Sequence, residues 1–350
     1  MFAEEVVRQA AELGASDIHL VKGLPVRVRI DGSLQDMGSR ILSHEDCEKI
    51  AMELGGEKYD SIRSIGELDL GGTLAGRRVR INLFRQQASV SAAIRILNDH
   101  IPKLSSLGLP PVVNQFSTWN KGIILVTGET GSGKSTTMAS VLDQINHNRH
   151  LHIITLEDPI EYVYTPDKCV INQREIGKDT ESYKNGMRAI LREDPDIILI
   201  GEMRDLTTIE TALTAAETGH LVFATLHTNN AADAVDRMTG IFPENRQPQI
   251  RLQLSMTLKA VLSQQLLVRK SGHGRVAACE AMVVTPAIRN LIREGKTPQI
   301  YSAILSSAGQ GSITMENCLV NMVMDGIISQ ETALEAAGDK EFFRKRLGIR

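Results

Sequence analysis

The amino-acid sequence predicts an α/β protein of two domains, on three observations. At 350 residues the chain can build two cores of roughly 150 residues each. The first hundred residues carry short apolar/polar alternations, the pattern of half-exposed strands. Past a Pro- and Gly-containing stretch the pattern becomes continuous apolar runs alternating with helical segments, as in a parallel sheet covered on both faces.

Residues 4–13 have helical spacing and close at Gly14. Residues 26–30 alternate strictly and turn at Asp31-Gly32, a hairpin signal. Residues 43–54 read as a helix opened by Ser43, with Asp46 three positions on. Segments 67–70, 77–85 and 89–97 read as antiparallel strands, the first two separated by Gly71-Gly72. Residues 101–111, rich in Pro, Gly and Ser, are the expected linker between domains spanning 1–100 and 112–350. In the second domain the buried strands are 122–127, 152–156, 197–200 and 221–225. The helix before the last of these opens with a capping-box pattern at Thr207 and Glu210 and stops at Gly219. After Arg246 the chain is expected to be mostly helical.

Composition excludes several classes. Lys+Arg number 39 against 42 Asp+Glu, a net charge of −3, and there are one Trp and five Tyr. Neither a chain-wide basic footprint nor an aromatic stacking platform for nucleic acid is present. No apolar run reaches the roughly 18 residues of a membrane span. The start, Met1-Phe2-Ala3-Glu4-Glu5, has no secretory character. Cys47, Cys169, Cys279 and Cys318 form no C-x-x-C pair, so a zinc ribbon is not expected and separate thiols suit a reducing cytosol.

Chemistry concentrates in the second domain. Gly128-Glu129-Thr130-Gly131-Ser132-Gly133-Lys134-Ser135 fits G-x-x-x-x-G-K-[ST] between a buried strand and a helical segment at 135–145. Glycines let backbone N–H groups close around phosphate oxygens, and the following helix start, with Thr136, adds its positive dipole end. Lys134 is placed to contact the β- and γ-phosphates and Ser135 to hold Mg²⁺.

Hydrolysis further needs carboxylates near the γ-phosphate. Glu202 ends the strand run Asp196-Ile197-Ile198-Leu199-Ile200-Gly201, and Glu157 ends another core strand in Leu156-Glu157-Asp158-Pro159-Ile160-Glu161. Both are candidate catalytic groups and Mg²⁺ ligands, directly or through water, and spacing does not decide which polarises water. His220 and His227 bracket the strand at 221–225. His227 sits where a γ-phosphate sensor belongs, whereas His220 suits an ordinary structural histidine. Seven residues across a strand keep the two rings from sharing a metal.

These motifs occur in the order of the type II/IV secretion ATPase superfamily, which the chain resembles over nearly its whole length. Within it the retraction motors of type IV pili are the nearest resemblance. Gly14-Ala15-Ser16-Asp17-Ile18-His19-Leu20 is similar to that branch's opening motif. Leu191 to Asp196 leading into Gly201-Glu202-Met203-Arg204-Asp205 also matches, and Ala287-Ile288-Arg289-Asn290-Leu291-Ile292-Arg293-Glu294 is similar to a signature tied to retraction. The four-cysteine zinc element of extension and type II secretion relatives is missing. Glu129 departs from the family, which more often has Pro there; an acid in the loop weakens attraction for phosphate unless it points outward.

The resemblance implies a RecA-like P-loop NTPase domain preceded by a PAS-like α+β domain, ATP and Mg²⁺, and a homohexamer in the cytoplasm at the inner face of the cell membrane. It implies an inner-membrane pilus platform protein as partner, through which the motor is peripheral to the membrane; a paralogous motor ATPase is a further partner, and nucleic acid is not. Arg80, Arg85 and Arg95 are the candidates for closing over the phosphates from the amino-terminal domain, with Arg204 and Arg237 as alternative interface arginines. Residues 287–294 have the i, i+3, i+4 spacing of any packed helix, and their match to the signature points to output coupling. The main alternative is a pilus-extension or type II secretion assembly motor. More distant are a nucleic-acid translocase and a non-catalytic nucleotide-binding subunit.

Overall fold

The computed structural model describes residues 2–30, 32–97 and 100–348, and the chain folds as two compact units. One holds the residues up to His100 together with Pro159–Val163; the other holds Ile101–Asp158 and the chain from Tyr164 onward.

In the first unit α1 (Phe2–Glu12) leads to β1 (Asp17–Leu20), β2 (Pro25–Ile30) and β3 (Ser33–Ile41), then α2 (His44–Gly55) and α3 (Ser61–Ile65). β4 (Glu67–Leu74), β5 (Arg77–Gln86) and β6 (Ser89–Ile96) complete it. Among the described residues they form a six-stranded antiparallel sheet in the order β3-β2-β1-β6-β5-β4. The period of two decides its burial. Val26 and Val28, Val79, Ile81 and Leu83, and Val90, Ala92 and Ile94 point inward onto Val7 of α1 and Ile50 and Ala51 of α2. Ser43 and Asp46 form a complete capping box at the start of α2.

Two details differ from the expectation. Gly71-Gly72 do not break the strand: they pair with Arg80 and Val79 inside β4, and the chain reverses at Ala75-Gly76, where φ is 50° and 77°. The strands β1 and β3 had no signal of their own. β3 is almost wholly exposed and exists as the hairpin partner of β2, Ile30 lying opposite Ser33. Asp31 of the expected turn lies outside the described residues, as does Met1.

The second unit runs through α4 (Val113–Phe116), β7 (Gly122–Thr127), α5 (Lys134–Asn148), β8 (His152–Glu157), β9 (Val170–Glu175), α6 (Tyr183–Ile190) and β10 (Ile197–Ile200). It continues through α7 (Leu206–Glu217), β11 (Leu221–Leu226), α8 (Ala231–Gly240), α9 (Gln247–Thr257), β12 (Leu258–Val268) and β13 (Arg275–Val283). Five helices follow: α10 (Pro286–Glu294), α11 (Ile300–Ser306), α12 (Met315–Met324), α13 (Gln330–Ala336) and α14 (Lys340–Leu347). The sheet order is β13-β12-β7-β11-β10-β8-β9, seven strands among the described residues. All neighbours pair in parallel except β12 with β13.

β7, β10 and β11 are buried at every position, which explains their unbroken apolar sequences. Each fully buried Ile or Leu there contributes about 1.5–3 kcal/mol. Ile288 and Ile292 of α10 are buried in the same core and Leu291 packs against it. Residues 101–111 cluster with this unit: Leu104 is buried, and the Pro102 carbonyl accepts from Ser140 Oγ at 2.7 Å.

The stretch after Arg246, expected to be mostly helical, carries six helices among the described residues but also β12 and β13. The run Leu258-Lys259-Ala260-Val261-Leu262-Ser263-Gln264 satisfies helical and strand spacing alike, and the free edge of β7 selects the strand. β9, also unpredicted, adds to the β8 edge. The helix α7 is capped at Asp205 rather than at Thr207, the Asp205 side chain accepting from the Thr208 amide at 2.9 Å. Cys47, Cys169 and Cys279 are buried and Cys318 half-buried; the last two are neighbours, the Cys279 amide lying 3.3 Å from the Cys318 sulfur. No helix among the described residues is long and apolar enough to cross a membrane.

Replacing Asp205 with Ala removes the α7 cap and is expected to lower unfolding stability by about 1 kcal/mol, seen as a lower urea midpoint at unchanged slope.

Candidate functional site

Parallel pairing brings four strand ends to one edge of the second unit's sheet. Thr127 of β7 is level with Leu226 of β11, and Ile200 of β10 is level with both Ala224 of β11 and Leu156 of β8. The glycine-rich loop, His227, Glu202 and Glu157 therefore emerge in that order along the carboxyl edge, the ligand edge of open α/β sheets.

The loop wraps tightly on itself. Gly128, Gly131 and Gly133 have φ of 140°, 82° and 90°. A Cβ on Gly128 would stand 2.3 Å from the Gln264 carbonyl oxygen and 2.6 Å from Ser132 Oγ, so only glycine fits. Lys134 is buried and its Nζ donates to the carbonyls of Gly128 (2.8 Å) and Glu129 (2.9 Å), inside the loop's curve. Gln264 Nε2 braces the loop from β12 by donating to the Ser132 carbonyl at 2.9 Å. Ser132 Oγ, Thr228 Oγ1 and Gln264 Oε1 are buried and find no hydrogen-bond partner among the described residues, three polar atoms suited to a polar ligand. Ser135 and Thr136 are half-buried in the first turn of α5, and the Glu129 side chain is exposed.

Glu202 is held by its backbone neighbours. The Gly201 amide donates to Leu156 O of β8 at 2.7 Å, and the Met203 amide to Thr225 O of β11 at 3.2 Å. Its carboxylate meets Arg204 Nη2 at 2.7 Å and His227 Nε2 at 3.2 Å. Partial burial pushes this carboxyl up, but the Arg204 hydrogen bond and charge, with His227 behind them, outweigh it and hold it below the ordinary range. Glu157 is half-buried and accepts from Thr155 Oγ1 at 2.6 Å and Gln173 Nε2 at 3.2 Å. Tyr183 is near both acids, its hydroxyl lying beside Gly201. Burial, then the Asp158, Glu157 and Glu202 carboxylates, push that hydroxyl far above its usual range, so it stays protonated.

Other candidates lie elsewhere. His220 is at the opposite end of β11, its Nδ1 2.9 Å from Ala215 O, where it finishes α7. Arg80 and Arg95 belong to the first unit, register partners across β5 and β6. Arg95 is bonded to Asp17 at 2.8 Å and Arg80 lies 3.9 Å from Asp69. Arg85 is exposed nearer the end of β5, and Arg237 is exposed on α8. Gln264, Thr228 and Tyr183 had escaped the sequence reading; the one available signal was the polar Ser263-Gln264-Gln265 interruption of an apolar run. A cavity of about 340 Å³ opens on the other side of the loop, lined among others by Thr130, Asn229, Leu266, Arg275 and Glu335.

Residues 1–273 match the family model of type II/IV secretion system proteins. The chain is 45% identical over 341 residues to the type IV pilus retractation ATPase PilT of Pseudomonas aeruginosa, covering 97% of this chain and 99% of that protein. It is 46% identical over 316 residues to a twitching motility protein of Neisseria gonorrhoeae, covering 90% and 84% of the two. The crystal structure of the pilus retraction motor PilT with bound ADP superposes with a TM-score of 0.91 at 47% identity, over 98% of each chain.

Removing the guanidinium in Arg204→Ala is expected to raise the pH at which Glu202 titrates, measured by carboxyl-carbon NMR. Stability contributed by Glu202 is present above the usual carboxylate range and is lost as pH falls through its lowered native value, so in this variant that acid-side loss is smaller and is complete at higher pH.

Proposed function

The chain belongs to the type II/IV secretion system protein family, and on that footing we propose that it is an ATP-hydrolysing motor that drives retraction of a type IV pilus. One observation carries the chemistry: the phosphate loop, His227 and Glu202 stand side by side on one sheet edge, with His227 bonded to Glu202. The extent of identity to a pilus retraction ATPase and to a twitching motility protein supports the output.

In this reading the loop amides from Gly128 to Thr136 and the α5 dipole receive the β- and γ-phosphates, and Lys134 trades its loop carbonyls for phosphate oxygens. The nucleoside extends toward the cavity beside Thr130 and Arg275. Glu202 and Glu157 orient and deprotonate the attacking water, and His227 reports the γ-phosphate to Glu202. The hydroxyl of Ser135 and the two carboxylates are hard oxygen donors that fit Mg²⁺, directly or through water. Bound Mg²⁺ would neutralise charge on the β- and γ-oxygens. Arg80, Arg85 and Arg95 are proposed to reach the nucleotide from the amino-terminal domain.

The mechanical step follows from contacts that exist with ATP and vanish with ADP. Bound ATP would hold a closed arrangement, and loss of the γ-phosphate would release it. In a homohexamer, closures in turn would move a central partner, proposed to be the platform protein at the inner membrane face. The segment 287–294 is proposed to carry the output.

Lys134→Ala is expected to weaken nucleotide binding at least about tenfold by calorimetry. Glu202→Ala is expected to keep binding and lose about 10²–10⁴-fold in turnover. Turnover equal to the parent in Glu202→Ala would remove that residue from catalysis. Well-folded parent protein that takes up no magnesium-nucleotide would remove the motor reading altogether.

A further inference from the structure

Glu280 lies in the middle of β13 with only 3% of its surface exposed, and no lysine or arginine neutralises it among the described residues. A carboxylate in an apolar core is costly unless hydrogen bonds replace its water. Here the replacements are helix starts. Glu280 Oε1 accepts from the buried Ala231 amide at 2.8 Å, the first residue of α8, while Asn230 caps the Asp233 amide at 2.8 Å. The Met315 amide, first in α12, also supports the charged carboxylate.

These contacts lead in two directions. Ala231 follows His227 by four residues, so the loop 227–230 is stretched between the end of β11 and the point that Glu280 grips. Across the ladder Glu280 is opposite Ser263, whose hydroxyl accepts from Thr127 Oγ1 at 2.8 Å at the root of the phosphate loop. On the far side Glu316 adjoins Met315, and its carboxylate accepts from Tyr301 Oη of α11 at 3.2 Å and from the Asp339 amide before α14 at 3.4 Å.

We infer that Glu280 is a positioning residue for the reaction: by pinning the start of α8 it sets where His227 stands against Glu202, and it links that loop to the carboxy-terminal helices. The inference rests on the ATPase reading. The groups facing Glu280 are Glu316 from α12, Asp233 from α8 and Tyr301 from α11, two of them acids. Burial first, and those acids second, raise its titration to about 7, against the helix-start amides. A raised carboxyl favours the folded state below the usual carboxylate range, and that advantage is lost as pH rises through about 7. Its grip on the two amides runs the other way, strengthening as the charge forms.

The test is steady-state ATP hydrolysis by the full chain across pH, for the parent, Glu280→Gln and Ala231→Pro, with melting curves beside it. Proline at the first helical position keeps the helix and deletes only the amide donor. The expected result is a parent kcat that rises through about pH 7. Glu280→Gln should lose this step and about tenfold in kcat, with KM for ATP within about twofold of the parent. Ala231→Pro should show the same kcat loss. A parent kcat flat across neutrality, or a folded Glu280→Gln with the parent's kcat and pH profile, overturns the inference and leaves Glu280 a folding role alone. A parent that hydrolyses no ATP defeats the ATPase reading instead, a separate failure visible before any variant is made.

Discussion

Parallel pairing of four buried strands is the constraint on which the rest of the second unit depends. Parallel neighbours all present their carboxyl ends on the same edge, so residues just past β7, β11, β10 and β8 are gathered although more than seventy positions separate Gly128 from Glu202. Their registers, Thr127 with Leu226 and Ile200 with both Ala224 and Leu156, set the spacing of phosphate loop, histidine and acids. A slip of one residue in any pairing would turn that strand's side chains to the opposite face and carry its site residue away.

The edge is electrostatically divided. On the loop side the helix start and Lys134 make it cationic; on the β8 and β10 side Glu157, Asp158 and Glu202 make it anionic. His227 stands between the halves, one residue past β11, and already touches Glu202. Because Arg204 keeps Glu202 ionised, the acid is charged across the physiological range. A ligand that bridges the halves must carry negative oxygens at one end and bring a cation or water to the other, a demand that the proposed magnesium triphosphate would meet.

Polar groups in the interior have assigned tasks. Gln264 braces the phosphate loop, and Glu280 serves two helix starts. Both lie on β12 and β13, the strands added to the free side of β7, so support for the loop and for the His227 segment comes from the part of the chain just before the carboxy-terminal helices.

Some of this was legible in the residues alone. Glycines at 128, 131 and 133 announce a loop with positive φ, and unbroken apolar runs announce strands buried on both faces, because both are local demands on backbone and burial. Glu157 and Glu202 could be placed at strand ends for the same reason. Other features waited for the folded chain. Whether residues 258–268 are helix or strand depends on an open edge of β7 that their own spacing does not reveal. Whether Gly71-Gly72 turn or continue depends on β5 lying alongside. The brace at Gln264 and the burial of Glu280 depend on what packs against each. Periodicity and propensity act over a few residues, whereas strand order, and with it the partner of every buried polar atom, is settled by contacts between distant segments.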